Sequence, residues 1–171
     1  MSIGRTAFGR LPEGTRLDRV WIESHIPHRG RMCLLDEVLS WDLVRIRCRA
    51  TSHRSPENPL RAHGRLGAAC GVEYAAQTMA VHGAIMAHTA GTTARAGLLT
   101  SVRNLVLRVT RLDDLDGDLI ASAERLAGDE DGTLYEFALA SGGRELLSGR
   151  AGIVFGAHLL ARAPAIKRES R

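Results

Sequence analysis

Leu66-Gly67-Ala68-Ala69-Cys70-Gly71-Val72-Glu73-Tyr74-Ala75-Ala76-Gln77-Thr78-Met79-Ala80-Val81-His82-Gly83-Ala84-Ile85-Met86-Ala87-His88-Thr89-Ala90 is the stretch that decides the fold. It holds no proline, and Val72, Ala75, Ala76, Met79, Gly83 and Met86 recur at helical spacing, which predicts one long helix over residues 66–90. Ala68, Ala69, Ala75, Ala76, Ala80, Ala84 and Ala87 make that helix slender and apolar on nearly all sides. An ordinary surface helix has a polar face; this one has to be wrapped by something else.

Upstream, Thr15 with Asp18 three residues later has the pattern of a helix N-cap with an acid in the first turn, opening a short helix that ends before Pro27. Residues 32–41 and 43–50 suit two strands. In the second, Val44, Ile46, Cys48 and Ala50 alternate with Arg45, Arg47 and Arg49, so one face is wet. Residues 51–65, with Pro56, Pro59 and Gly64, form a loop long enough to suggest a task. Downstream of the long helix, residues 98–110, 118–126, 133–140 and 145–155 read as strands, joined at Asp116-Gly117, Gly128 to Gly132 and Gly142-Gly143. Consecutive strands with short turns pair antiparallel. The fold class is therefore α+β, a single apolar helix buried by an antiparallel sheet that curls round it.

The length of 171 residues, with 44% hydrophobic and 25% charged, suits one domain, taken as residues 1–160, with a flexible basic tail at 161–171. No apolar run approaches a membrane span and residues 1–16 lack a signal-peptide block, so no membrane association and a cytoplasmic location are expected. Cys33, Cys48 and Cys70 form no Cys-x-x-Cys pair and read as reduced, buried thiols. The net charge of +4 is spread along the chain, against nucleic acid as partner and compatible with steering an acidic protein.

Glu73 and Gln77, at i and i+4 in an otherwise apolar helix, project from one face. A carboxylate in apolar surroundings suits a general acid, and a neighbouring amide can orient it; a hydrogen-bonded core glutamate is the structural alternative. Around this pair the chain resembles the 3-hydroxyacyl-acyl carrier protein dehydratases of the hotdog fold, in the divergent branch linked to aryl polyene synthesis. Ile26-Pro27-His28-Arg29-Gly30-Arg31-Met32-Cys33-Leu34-Leu35-Asp36-Glu37-Val38 is similar to the family's opening Pro-His segment and Leu-Leu-Asp strand. Asn58-Pro59-Leu60, Gly64-Arg65-Leu66 and Gly71 to Gln77 resemble its site loop and the Glu-x-x-Ala-Gln start of its central helix.

The resemblance implies a long central helix in a curved sheet, a homodimer or a heteromer with another hotdog subunit, and dehydration of a 3-hydroxyacyl thioester on acyl carrier protein to the trans-2-enoyl form, with no cofactor. Glu73 is then the acid. The family's histidine base, about fourteen residues earlier, falls here on Pro59 beside Asn58. Without a base such a reaction loses roughly 100-fold to 10,000-fold in rate. His63, ten residues before Glu73, is the preferred substitute and His28 the second. Asn58, Gly64, Gly67 and Gln77 are expected to contact substrate, with N–H groups at the glycines before the helix placed to hold the thioester carbonyl. Arg61 and Arg65, on the loop, are expected to dock the acidic carrier, with the acidic run Asp113 to Asp118 on a distant turn. A thioesterase and a non-catalytic scaffold subunit are the competing functions. His82 and His88 read as packing or dimer-surface residues, the Asp113–Asp118 run lacks the final glutamate of a calcium loop, and no zinc, nucleotide or nucleophile-elbow motif occurs, so no metal is expected.

Overall fold

A computed structural model describes residues 16–156; Thr15 and the basic tail 161–171 lie outside the described residues. Helix α1 (Arg19–His25) is capped by Asp18 itself, whose carboxylate accepts from the Trp21 N–H at 3.2 Å. Strand β1 (Glu37–Trp41) begins five residues later than expected. The chain before it turns through a short 3-10 segment, Gly30–Met32, entered at a left-handed Gly30 (φ 54). Cys33, Leu34 and Leu35 are then buried in succession, which a strand wet on one face does not allow. The Leu34 N–H is spent on Gln77, outside any ladder.

Strand β2 (Arg45–Ala50) alternates as the sequence suggests, with Ile46, Cys48 and Ala50 inward. After the loop and a 3-10 turn at Ala68–Cys70 comes helix α2 (Gly71–Thr89), shorter than the helix expected from residue 66. Its C-terminus closes on Gly91 (φ 67), with the Thr92 N–H reaching Ala87 O at 2.9 Å and the Gly91 N–H reaching His88 O at 3.1 Å. These two bonds satisfy carbonyls that the last turn leaves free.

Strands β3 (Gly97–Leu107), β4 (Leu119–Gly128), β5 (Gly132–Ser141) and β6 (Arg144–Phe155) complete one six-stranded sheet in the order β1-β2-β4-β5-β6-β3. Every described pairing is antiparallel. The short-turn rule holds for β4-β5 and β5-β6 but fails at β3-β4: the connection 108–118 carries the chain from the β3 edge to the interior of the sheet, where β4 lies between β2 and β5, and β3 pairs with β6 instead. The inner face, including Leu119, Ala121, Phe137, Leu139 and Leu147, curls against Tyr74, Ala75, Met79, Val81 and Ile85 of α2. This is the hotdog arrangement that the resemblance implied.

Wrapping is incomplete in the single chain. Gly83 on α2 and Ala69 and Ala90 just beyond its two ends are exposed, and Ala76, Ala80 and Ala87 are half-buried, a strip of small side chains in line with Glu73. On the far edge, Leu98, Leu99, Val102, Leu105, Val106 and Leu107 of β3 are 36–46% exposed. His82, by contrast, is buried, accepting at Nδ1 from the Tyr135 hydroxyl and donating from Nε2 to Asp42 O, both at 2.8 Å. Burial holds its imidazole below the ordinary histidine range, and in the neutral ring the nitrogen facing Asp42 O carries the hydrogen, leaving Nδ1 to accept. His88 is exposed, edge-on to the Trp21–His25 stack.

Candidate functional site

Glu73 stands in the first turn of α2, its side chain 32% exposed, so it lies at the rim of the core and not in the apolar surroundings expected. Gln77, one turn on, is the fully buried member of the pair. Its partners fix its amide chemically: Leu34 N can only donate, so the atom facing it at 2.9 Å is the carbonyl oxygen, and Met32 O can only accept, so the atom facing it at 2.8 Å is the nitrogen. That nitrogen also donates to Glu73 Oε1 at 3.0 Å. The buried amide thus aims the carboxylate while tying residues 32–34 to the helix.

The same carboxylate oxygen meets His28 Nε2 at 3.1 Å. His28 reaches it because the chain between α1 and the Gly30–Met32 turn runs past the start of α2, and Gln77 holds that run in place. Its Nδ1 is buried and has no partner among the described residues. Of the two candidate histidines, His28 is the one that meets Glu73 among the described residues. His63 sits exposed at the tip of the loop, with φ 50, next to Gly64 with φ 71. Two bonds between Ala62 and Arg65 close these residues into a hairpin turn, and His63 makes no described contact with Glu73. Two successive positive φ angles at the tip are what this turn demands, so Gly64 has a structural reason to be glycine.

Gly67 is extended (φ −65, ψ 151), with open space where a Cβ would stand. The next N–H, of Ala68, is already used by Thr110 O at 3.1 Å.

Asn58 is only 6% exposed and fully engaged: its amide nitrogen donates to Ser52 O and to the Tyr74 hydroxyl, both at 3.0 Å, and its oxygen accepts from the Leu60 N–H at 3.0 Å. It braces the loop and has no polar atom left over for a ligand. Arg61 is likewise turned inward. Its guanidinium donates to Ser55 O, His53 O and Gly64 O and to Asp113 at 2.8 Å, the Asp113 side chain being 3% exposed. The acidic run is thus not distant from the loop but its anchor: Arg54 donates to Asp116 O and Asp118, and Arg111 to Asp113. The Arg111 hydrogen bonds hold the Asp113 carboxyl well below the usual carboxylate range. Of the two arginines expected to dock a carrier protein only Arg65 is exposed, with no ion pair among the described residues.

Sequence reading missed Tyr74 and Ser52, which join the loop to the helix through hydroxyl bonds. The available signal was chemical: a tyrosine in an alanine-rich, wrapped helix needs a partner for its hydroxyl. Cys33 and Cys48 are buried, and burial pushes the Cys48 thiol up to about 12, whereas Cys70 is half-exposed at the loop–helix seam, against the expectation that all three lie inside. Among the described residues no three metal-ligating side chains converge, and no helix is long and apolar enough to cross a membrane.

The chain is similar to the dehydratase heterocomplex ApeI:P from Xenorhabdus doucetiae, with 20% identity and a TM-score of 0.74 over 83% of this chain and 97% of that one. It is also similar to zebra fish thioesterase superfamily member 2, with 13% identity and a TM-score of 0.55 over 81% and 95%. At such identities these likenesses bear on the fold alone. No curated protein matches the chain in sequence. The model of the ApeP-like family, described as ApeP dehydratase, matches residues 20–159, and the chain accordingly belongs to the ApeP-like dehydratase family.

Proposed function

We propose that this protein dehydrates a 3-hydroxyacyl thioester carried on acyl carrier protein to the trans-2-enoyl form, in aryl polyene or fatty acid synthesis. The observation that carries this reading is the contact of His28 Nε2 with Glu73 Oε1 at the start of the central helix. In the proposed cycle neutral His28 takes the α-proton, the β-carbon–oxygen bond breaks, and the protonated Glu73 gives its proton to the departing hydroxyl, which leaves as water. His28 then returns its proton to Glu73 across the 3.1 Å contact. One proton is taken and one given, so substrate becomes enoyl thioester plus water with the pair unchanged.

A second reading is favoured by one feature, the absence of a histidine where the resembling enzymes hold theirs: Asn58 and Pro59 stand there, and Asn58 is a brace. In that reading the chain is a scaffold beside a competent hotdog subunit. Both readings include a partner on β3, whose apolar residues one chain leaves open; a second copy and another hotdog subunit are the two candidates.

The test is mass spectrometry of a 3-hydroxyacyl carrier-protein thioester incubated with the protein, alone and with a partner hotdog subunit. Loss of water that disappears in Glu73→Gln and falls at least ~100-fold in His28→Ala, with less than a threefold change in His63→Ala, is the expected result. Loss of water only with the partner, and unaltered by Glu73→Gln, establishes the scaffold. Release of the acyl chain establishes a thioesterase.

A further inference from the structure

Tyr74 follows Glu73 in the chain but points the other way, into the core, where it is fully buried. Its hydroxyl lies 2.9 Å from Ser52 Oγ and 3.0 Å from Asn58 Nδ2. Each proton in this cluster can be assigned. Leu34 O only accepts, so Ser52, 2.8 Å away, spends its one hydrogen there. Tyr74 must then donate to Ser52, and Asn58 donates to Tyr74. The result is a one-way chain, Asn58 to Tyr74 to Ser52 to Leu34 O, with no hydrogen left over. Burial pushes the Tyr74 phenol up, which keeps it a donor.

Leu34 is where this chain meets the site. Its carbonyl receives Ser52, and its N–H is the group that fixes the Gln77 amide, which in turn aims Glu73. The loop therefore meets the residue 32–34 segment at the Ser52–Leu34 bond, and the Tyr74 phenol fixes the serine that makes it, tying Ser52 and Asn58 to the start of α2.

We infer that Tyr74 is a positioning residue, setting the place of Leu34 and through Gln77 the aim of Glu73 at the His28 contact. The functional part of this inference rests on the dehydratase reading; the positioning part does not.

The test uses the full chain with Tyr74→Phe, Ser52→Ala, the double variant and Ser52→Thr. Two readouts are taken: the side-chain amide resonances of Gln77 with the exchange rate of the Leu34 N–H, and kcat with KM for dehydration. Tyr74→Phe and Ser52→Ala are each expected to move the Gln77 resonances, speed Leu34 exchange, and lower kcat about tenfold with KM changed less than about twofold. The double variant should be no worse than either single one, because both cut the same chain, and Ser52→Thr should restore the parent values. Phe137→Leu, a core change on β5 that lowers stability, should leave the Gln77 resonances in place. Should Tyr74→Phe fail to fold, Asn58→Asp carries the test in its place, because an acceptor there competes with Ser52 for the phenol's hydrogen while leaving the Ser52–Leu34 bond intact. Unmoved Gln77 resonances in a folded variant, or fully additive losses, overturn the inference. A parent that dehydrates nothing while Tyr74→Phe still moves Gln77 upholds the positioning and overturns only the dehydratase reading.

Discussion

Replacing Gln77 by methionine keeps the length and much of the volume of the side chain and removes three hydrogen bonds at once. Because the shape is nearly conserved, the cavity contribution is small. What remains is a fully buried Leu34 N–H with no acceptor, which costs about 1–3 kcal/mol, and a half-buried Met32 carbonyl that water can reach, which costs less. The sum is about 2–4 kcal/mol. For a domain of this size each kcal/mol lowers Tm by roughly 2–4 °C, so a drop on the order of 5–15 °C is expected. Urea unfolding should show the midpoint falling with an unchanged slope, and Leu34 should lose protection in native-state hydrogen exchange. A loss below about 1 kcal/mol, with Leu34 as protected as before, would refute the claim that this amide ties the residue 32–34 segment to the helix.

Other outcomes can be checked with the same equipment. His82 and His53 are both held below their ordinary values by burial, so stability should be full above the unfolded value of about 6.5 and decline as pH falls below it. His82→Gln, which can keep both polar contacts, should flatten that decline; an identical slope would count against the assignment. Asp113 is held low by Arg111, so its contribution is complete above about pH 3.9 and lost as pH falls further through its folded value. Acid titration of Asp113→Asn should lack that part of the transition. Gly71→Ala places a Cβ 2.3 Å from one Leu147 methyl and 2.9 Å from one of Leu139, both side chains being fully buried, and should cost about 1–3 kcal/mol by thermal melting.

Much of the fold was legible because it rests on periodicity. The alanine-rich helix and the alternation of Ile46, Cys48 and Ala50 against arginines are local patterns, and local patterns survive folding. The β3 crossover was not legible, since a connection of intermediate length permits either a neighbouring or a distant partner and only the closed sheet decides. The site divides the same way. Glu73 and Gln77 share a helix face, so their meeting follows from spacing alone. His28 is 45 residues from Glu73 in sequence, its contact depending on how Gln77 ties down residues 32–34, and nothing local announces it. The arginines mislead for a related reason: a charge on a loop is assumed to face water, yet Arg61 finds three carbonyls and Asp113 before it finds solvent.

Strand β3 has a consequence for how such a chain is made. A copy synthesised without a companion presents a long, apolar edge strand with one side unpaired, which is the feature that templates unwanted strand addition between like molecules. Overproduction of this subunit alone should favour inclusion bodies, whereas balanced co-synthesis with the subunit that covers β3 should yield dispersed protein. In the proposed assembly, matched synthesis rates would then matter alongside chemistry, because an excess of one member carries a solubility burden of its own.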